Sequence, residues 1–293
     1  MNNRIIQRPG ATIAILLGTF FFFLCIFSLA SSLIMPHIND AVTATRLLTF
    51  FQALFLFIVP ALVTAVLSTR LPATFLAIDN RPRLTPALLV IATLIAAIPA
   101  MNMIIEWNAG MHLPDSMKAI EDIMRQMEEA ATQATTTIMG SDTIGSLIVT
   151  ILIVGIMAGL SEELFFRGAL QRTFSSTRMN RHIAVWLTAV IFSAIHFQFF
   201  GFVPRLLLGA FFGYILIWGN NLWYCIIAHA ANNILATLSM WHARSNGSET
   251  SIDLNTIGQS TDTTLPQWPL VIVSLILTTI GLTLIYRQLS KHK

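Results

Sequence analysis

The amino-acid sequence predicts an all-α, polytopic membrane helical bundle of about eight transmembrane helices, and three observations predict it. Hydrophobic residues make up 55% of the chain and charged residues 11%, against roughly 45–50% and about 25% in soluble domains. Eight apolar runs recur along the chain, each of a length suited to a hydrocarbon core that takes roughly 20 residues of helix. No period-2 alternation marks barrel strands, so helices must pair every backbone N–H and C=O within their own segments.

The runs cover 11–35, 45–69, 84–105, 144–168, 182–200, 203–219, 222–241 and 268–287. Within the first, Ile13 to Leu33 is too long for a signal-peptide core and lacks an Ala-x-Ala cleavage site, so it reads as a retained span. The fifth and sixth are parted by Gly201 to Val203 with Pro204 following, a combination that makes either a tight turn or a kink. A cytoplasmic N-terminus places Arg4, Arg8, Arg70, Arg81, Arg83, Arg167, Arg172, Arg178, Arg181, Arg287, Lys291 and Lys293 on the inner side, twelve of the seventeen basic residues. Arg46, Lys118, Arg125, Arg205 and Arg244 fall on the outer side. An even number of spans returns the C-terminus to the inside, which suits its basic tail, so the expected topology is N-in and C-in.

Two segments outside the runs have their own character. From Met117, the apolar residues Ile120, Met124, Met127 and Ala131 recur every three or four positions, with Glu121, Asp122, Arg125, Glu128 and Glu129 opposite them. That spacing predicts an amphipathic helix on the outer bilayer surface, a cover or a gate over the bundle. The stretch from Ser245 to Thr264, rich in Ser, Thr, Asn and Gly, reads as an outer loop.

Composition also excludes several classes. The net charge of +3 is dispersed between apolar runs and forms no basic patch, so nucleic acid is not an expected partner. Cys25 and Cys225 both lie inside apolar runs, which suggests neither a disulfide framework nor a cysteine zinc site. No inverted repeat of the transporter kind is present.

An ionisable side chain at membrane depth costs at least a few kcal/mol, so each calls for a partner or a task. The candidates are Glu162, Glu163 and Arg167 in the fourth run, His196 in the fifth, and His229 with Asn232 and Asn233 in the seventh. At ~1.5 Å per residue they all fall in the inner half or near the midplane, so a meeting is possible. Glu163 and Arg167 are four apart and share a face, as an ion pair would. Glu162 points ~100° away and has no partner in its own helix. The same spacing sets Phe192 below His196 and His229 on one face with Asn233. Helices would then present every one of these groups rigidly.

Glu-Glu-Leu-Phe-Phe-Arg at 162–167 matches an EExxxR motif, Phe-Ser-Ala-Ile-His at 192–196 an FxxxH motif, and His-Ala-Ala-Asn-Asn at 229–233 an HxxxN motif. In this order and spacing they resemble the CPBP family, which comprises the type II CAAX prenyl endopeptidases and the Abi-type, bacteriocin-processing membrane proteins. His196 to Gly209 is also similar to bacterial members. The likeness covers 144–241, and the first three spans resemble nothing so specific.

The resemblance implies three parts of the chain: 1–143 with three spans and the outer helix, a four-span catalytic core at 144–241, and 242–293 with the polar loop and the last span. It implies an intramembrane endopeptidase of a bacterial inner, cytoplasmic membrane, with its site opening toward the cytoplasmic side. Glu162 with His196 would activate water, and His229 with Asn233 would stabilise the oxyanion. Glu163, Arg167, Phe192 and Asn232 would support them. Its partners would be a membrane-proximal or lipid-associated peptide and the bilayer, with no cofactor.

Three other readings stand beside it. Glu162, His196 and His229 have the donor types for zinc, although no HExxH occurs and no further carboxylate is placed as base. Cys225 lies one turn before His229 and could act as a nucleophile, although apolar surroundings disfavour a thiolate. A non-catalytic binding, immunity or transport protein could keep the same bundle, since membrane His and Asn residues often serve as interhelical hydrogen-bond partners.

Overall fold

The computed structural model describes residues 8–245 and 267–291, and these are helical with no strand among them. Ten helices run through the described residues: α1 (Pro9–Ile34), α2 (Ala41–Ser68), the short α3 (Pro72–Leu76), α4 (Leu84–Ala109), α5 (Lys118–Met139), α6 (Ile144–Ser176), α7 (Arg181–Ala194), α8 (Phe202–Gly219), α9 (Trp223–Ser245) and α10 (Gln267–Ser290). Each of the eight apolar runs is a helix. The segment read as an outer loop lies, beyond Ser245, outside the described residues.

Six helices among the described residues are long and apolar enough to cross a membrane: α1, α2, α4, α6, α8 and α10. The other two runs fall short for different reasons. α7 has 14 residues, or ~21 Å of rise against a hydrocarbon core of ~30 Å. α9 has 23 residues, but His229, Asn232 and Asn233 interrupt its apolar character.

The fifth run was expected to continue to residue 200. It stops at Ala194, because the chain turns there. His196 Nδ1 donates to Phe192 O at 2.7 Å, and Phe197 takes a left-handed φ of 54°. A 3-10 turn at Phe199–Gly201 then leads into α8, with Pro204 in its first turn, where a missing N–H is harmless. Buried Asn108 at the end of α4 holds this turn from both sides: its Nδ2 donates to Phe199 O at 3.1 Å and its Oδ1 accepts Val203 N at 2.7 Å.

Two helices depart from regular geometry. α2 contains a π turn at Ala53–Ile58, and α6 contains two, at Ile151–Met157 and Leu164–Gln171. In α4, Pro99 removes one ladder donor. Ser274 of α10 repairs the break: its Oγ accepts Ala100 N at 3.2 Å and donates to Ala96 O at 2.6 Å. A polar contact between helices thus replaces a lost backbone bond where lipid could not.

The bundle has two chemically different ends. At the basic end, loops interlock through backbone groups: Leu222 N donates to Ala77 O at 2.8 Å, Asn221 Nδ2 to Asn80 O at 3.0 Å, and Arg172 Nη2 to Thr74 O at 3.1 Å. Beneath them Phe75, Leu76, Leu170, Ile215, Leu216 and Leu222 form part of a continuous buried core. At the other end lies α5, the expected amphipathic helix. Arg46 of α2 fastens its C-terminus, with Nε to Ile138 O at 3.0 Å and Nη2 to Met139 O at 3.2 Å. A cation against the free carbonyls of a helix end is the favourable arrangement for its dipole.

Candidate active site

Residues carried by four different elements meet below α5. Glu162, Phe192, His196, His229, Asn232 and Asn233 all line one cavity of about 490 Å³. Glu163 and Arg167 lie behind its wall, both fully buried. The spacing argument holds for this pair: Arg167 Nη1 donates to Glu163 Oε1 at 2.6 Å, and Arg167 Nη2 to Gly209 O at 3.0 Å. A buried ion pair survives in a bundle only when further hydrogen bonds satisfy it, and here α8 supplies one.

His229 stands between the two glutamates. Its Nδ1 donates to Glu163 Oε1 at 2.8 Å, so Nε2 is directed to the cavity side and lies 3.8 Å from Glu162 Oε2. The imidazole is only 7% exposed and the Glu162 carboxylate 17%. Phe212 stacks on the His229 ring at 5.1 Å, and Phe192 meets the same ring edge-on at 5.9 Å. These contacts fix the plane of the imidazole, while Glu163 fixes which nitrogen carries the hydrogen.

His196 is also locked through Nδ1, by its bond to Phe192 O, and Phe192 packs on its ring at 5.1 Å. Its position corrects the expectation of a helical mounting. His196 sits on the turn after α7, held by the strained backbone at Phe197 and by Asn108, instead of on a regular helix. A left-handed non-glycine residue costs about 1–2 kcal/mol, which the surrounding packing must offset.

Asn233 Nδ2 donates to Val154 O at 3.0 Å, inside the first π turn of α6. Asn232 Nδ2 reaches Asn233 Oδ1 at 3.4 Å. Opposite them, α6 and α9 approach closely at Gly159, where an added Cβ would stand 2.9 Å from Ala230 N. Only glycine lets the two backbones come this near, and Glu162 and His229 lie three and one residues from this contact.

Sequence reasoning missed four contributors. Phe212 and Asn108 gave no signal, since an aromatic and an amide near an apolar run are ordinary. Arg205 and Gln198 did leave a trace: Arg205 is a charge set three residues into an apolar helix. Both line the cavity, with Arg205 Nη2 donating to Gln198 Oε1 at 2.8 Å. Gln198 Nε2 in turn donates to Glu128 Oε1 of α5 at 3.1 Å, which joins the roof to the turn that carries His196.

The roof itself is anchored at its first turn. Glu121 accepts Leu113 N at 2.8 Å and Arg125 Nη2 at 2.6 Å, and bonds His112 Nδ1 at 3.0 Å. The Leu113 N–H, then Arg125 and His112, hold its carboxyl down to about 2. Arg125 also lies over the Phe200 ring at 4.2 Å.

The cavity lies between the middle of the bundle and α5. Its floor is Glu162, His229 and Phe212; its walls are Thr45 and Thr49 of α2 and Met101 of α4; its roof is Ala131, Ala134 and Ile138 of α5. It therefore extends toward α5 and away from the basic end.

Two other sets of residues were candidates for chemistry. Zinc would need Glu162, His196 and His229 to converge, and among the described residues no group of three His, Cys, Asp or Glu side chains is placed to hold an ion. Cys225 is fully buried, its thiol donates to Phe212 O at 3.2 Å, and it does not line the cavity.

No curated protein and no solved structure matches the chain. Residues 144–235 match the family model described as type II CAAX prenyl endopeptidase Rce1-like, and this stretch, which contains the three motifs and the floor of the cavity, is a domain of that family.

Proposed function

We propose that this multi-pass membrane protein is an intramembrane endopeptidase that hydrolyses a peptide bond with a water activated by Glu162 and His196. The observation that carries the reading is the placement of Glu162 Oε2 3.8 Å from His229 Nε2 at the floor of a cavity that also contains His196 and Asn233. That placement presents the Glu162 carboxylate to the cavity beside the imidazole assigned to the oxyanion.

Glu162 takes a proton from the water as its oxygen attacks the peptide carbonyl carbon. The oxyanion that forms is met by the second amide hydrogen of Asn233, whose first is committed to Val154 O, beside the His229 imidazole at the cavity floor. The C–N bond then breaks, and Glu162 returns the proton to the leaving nitrogen. His196 orients the water through Nε2, since its Nδ1 is occupied. Glu163 and Arg167 position His229 and take no part in bond making.

The family supports a peptide substrate and a membrane setting. A membrane-proximal or lipid-associated polypeptide is the substrate this reading takes, and no cofactor enters the scheme. The test is cleavage of a broad peptide library by purified protein in detergent, with Glu162→Gln as control. Cleavage by wild type and its loss in the variant support the proposal; no cleavage by either favours a binding, immunity or transport protein on the same bundle.

A further inference from the structure

α4 turns one amide to the active cavity, and no described residue meets it. The α4 residues that line the cavity are Ile98, Met101, Asn102 and Ile105, so Asn102 is the single polar side chain in an otherwise apolar stripe. It is buried, with 9% of the residue exposed, and among the described residues it has no hydrogen-bond partner. Its two polar atoms nevertheless keep accessible surface, since neither is one of the enclosed, unbonded atoms of the bundle.

Two other asparagines near the site are used differently. Asn108 is bonded through both ends of its amide, to Phe199 O and Val203 N, and Asn233 Nδ2 is committed to Val154 O. A buried amide left without a partner costs stability, and at membrane depth lipid offers no replacement. Asn102 therefore carries a hydrogen-bonding capacity that the fold itself does not use.

We propose that Asn102 is a substrate-binding residue: Nδ2 donates to a backbone carbonyl of the bound polypeptide, and Oδ1 accepts the N–H of the same substrate residue. In an extended chain those two groups lie on one side, as when neighbouring strands exchange paired bonds, and a planar carboxamide offers one donor and one acceptor to match them. Such a pair reads main chain whatever the side chain, so Asn102 holds an extended segment beside Glu162 and His229. The flanking Ile98, Met101 and Ile105 lower the local dielectric, in which these bonds are stronger than in water.

The backbone that presents Asn102 is itself fixed. Pro99 opens the α4 ladder just before it, and Ser274 of α10 closes the gap at Ala96 O and Ala100 N. α4 also packs on α9, which brings His229, Asn232 and Asn233 to the same cavity. The amide and the reacting groups thus stand on touching helices. α4 precedes the stretch 144–235 that matches the family model, so part of substrate binding falls to a span outside that domain. The role deepens the proposed peptidase function and rests on it for the reaction.

The experiment uses the full-length protein in detergent and a peptide that wild type is found to cleave. Asn102→Leu, similar in size and without the amide, should raise KM about tenfold, as the loss of one or two neutral hydrogen bonds does, and leave kcat within about twofold. Its thermal midpoint should equal or exceed that of wild type, because no bond within the protein is lost. The peptide is then remade with one backbone N–H at a time replaced by an ester oxygen, away from the scissile bond. At one position the ester should lower kcat/KM about tenfold for wild type and less than about twofold for Asn102→Leu. An unchanged KM, a lowered thermal midpoint, or ester effects identical in the two proteins overturns the role. Wild type that cuts no peptide sinks the peptidase reading and the role with it, whereas cleavage by wild type and an equally effective Asn102→Leu sinks the role alone.

Discussion

Glu163 and His229 are joined by a hydrogen bond of 2.8 Å from Nδ1 to Oε1, and the same carboxylate oxygen receives Arg167. Glu162, its neighbour in sequence, faces the other nitrogen of that imidazole across the cavity floor. One helix thus offers two carboxylates to one ring in unlike ways. The buried one fixes the tautomer and balances a guanidinium, and the partly exposed one is left to the water. Their substitutions should therefore fail differently.

Glu162→Gln should lower peptide cleavage by roughly 10²–10⁴-fold, the usual contribution of a general base, with an unchanged thermal midpoint. Glu163→Gln should lose activity and stability together, because it leaves Arg167 buried without its countercharge at a cost of about 3–5 kcal/mol. Cleavage rate and thermal unfolding in one detergent check both. A Glu163→Gln protein as stable as wild type would contradict the anchoring role.

Gly159→Ala tests the approach of α6 to α9. The added methyl would stand 2.9 Å from Ala230 N, a backbone atom that can yield only if a helix moves. Overpacking of this kind costs about 1–3 kcal/mol, and a shift of about 1 Å between reacting groups can cost up to about 10²-fold in rate. The expected result is a folded protein with most of its activity gone. Retention of the wild-type rate would mean that the separation of Glu162 and His229 does not depend on this contact.

Much of this arrangement was legible before any coordinates. Eight apolar runs became helices because lipid leaves the backbone no other open choice, and the i, i+4 rule correctly paired Glu163 with Arg167. His196 was placed on a helix because a run of Ile, Phe, Ser and Ala has no local breaker before Gly201. What ends the helix is tertiary: Asn108, from 91 residues earlier, captures the backbone of the turn. The π turns of α6 left no mark in the sequence either, since they alter hydrogen-bond phase without requiring a special residue. The roof was read as an amphipathic surface helix, but its contact with the site runs through Gln198 and Glu128, a pairing that spacing cannot reveal.

The thiol and zinc readings lead to a separate expectation. Cys225→Ala should keep full activity, since its sulfur is enclosed against Phe212 and outside the cavity. Treatment with 1,10-phenanthroline should leave the cleavage rate unchanged, because Glu162, His196 and His229 share a cavity without being placed to hold an ion together. A loss of activity restored by added zinc would overturn the glutamate mechanism in favour of metal-assisted hydrolysis.

The anchor of α5 should show its own pH dependence. Glu121 has its carboxyl held down to about 2 from an ordinary value of 4.5 by the Leu113 N–H, Arg125 and His112. A group depressed in the folded state contributes its stabilisation above the unfolded value and loses it as pH falls toward the folded one. The first turn of α5 should accordingly stay equally ordered from pH 7 down to about 4.5 and loosen between there and about 2. A spin label at Lys118, followed beside the NMR titration of the Glu121 carboxyl, reads this directly. A Glu121 midpoint near 4.5 would show that the network exerts no hold on the carboxylate. Glu121→Gln should reproduce the loosened state at neutral pH, because it removes the charge that Arg125 and the Leu113 amide both face.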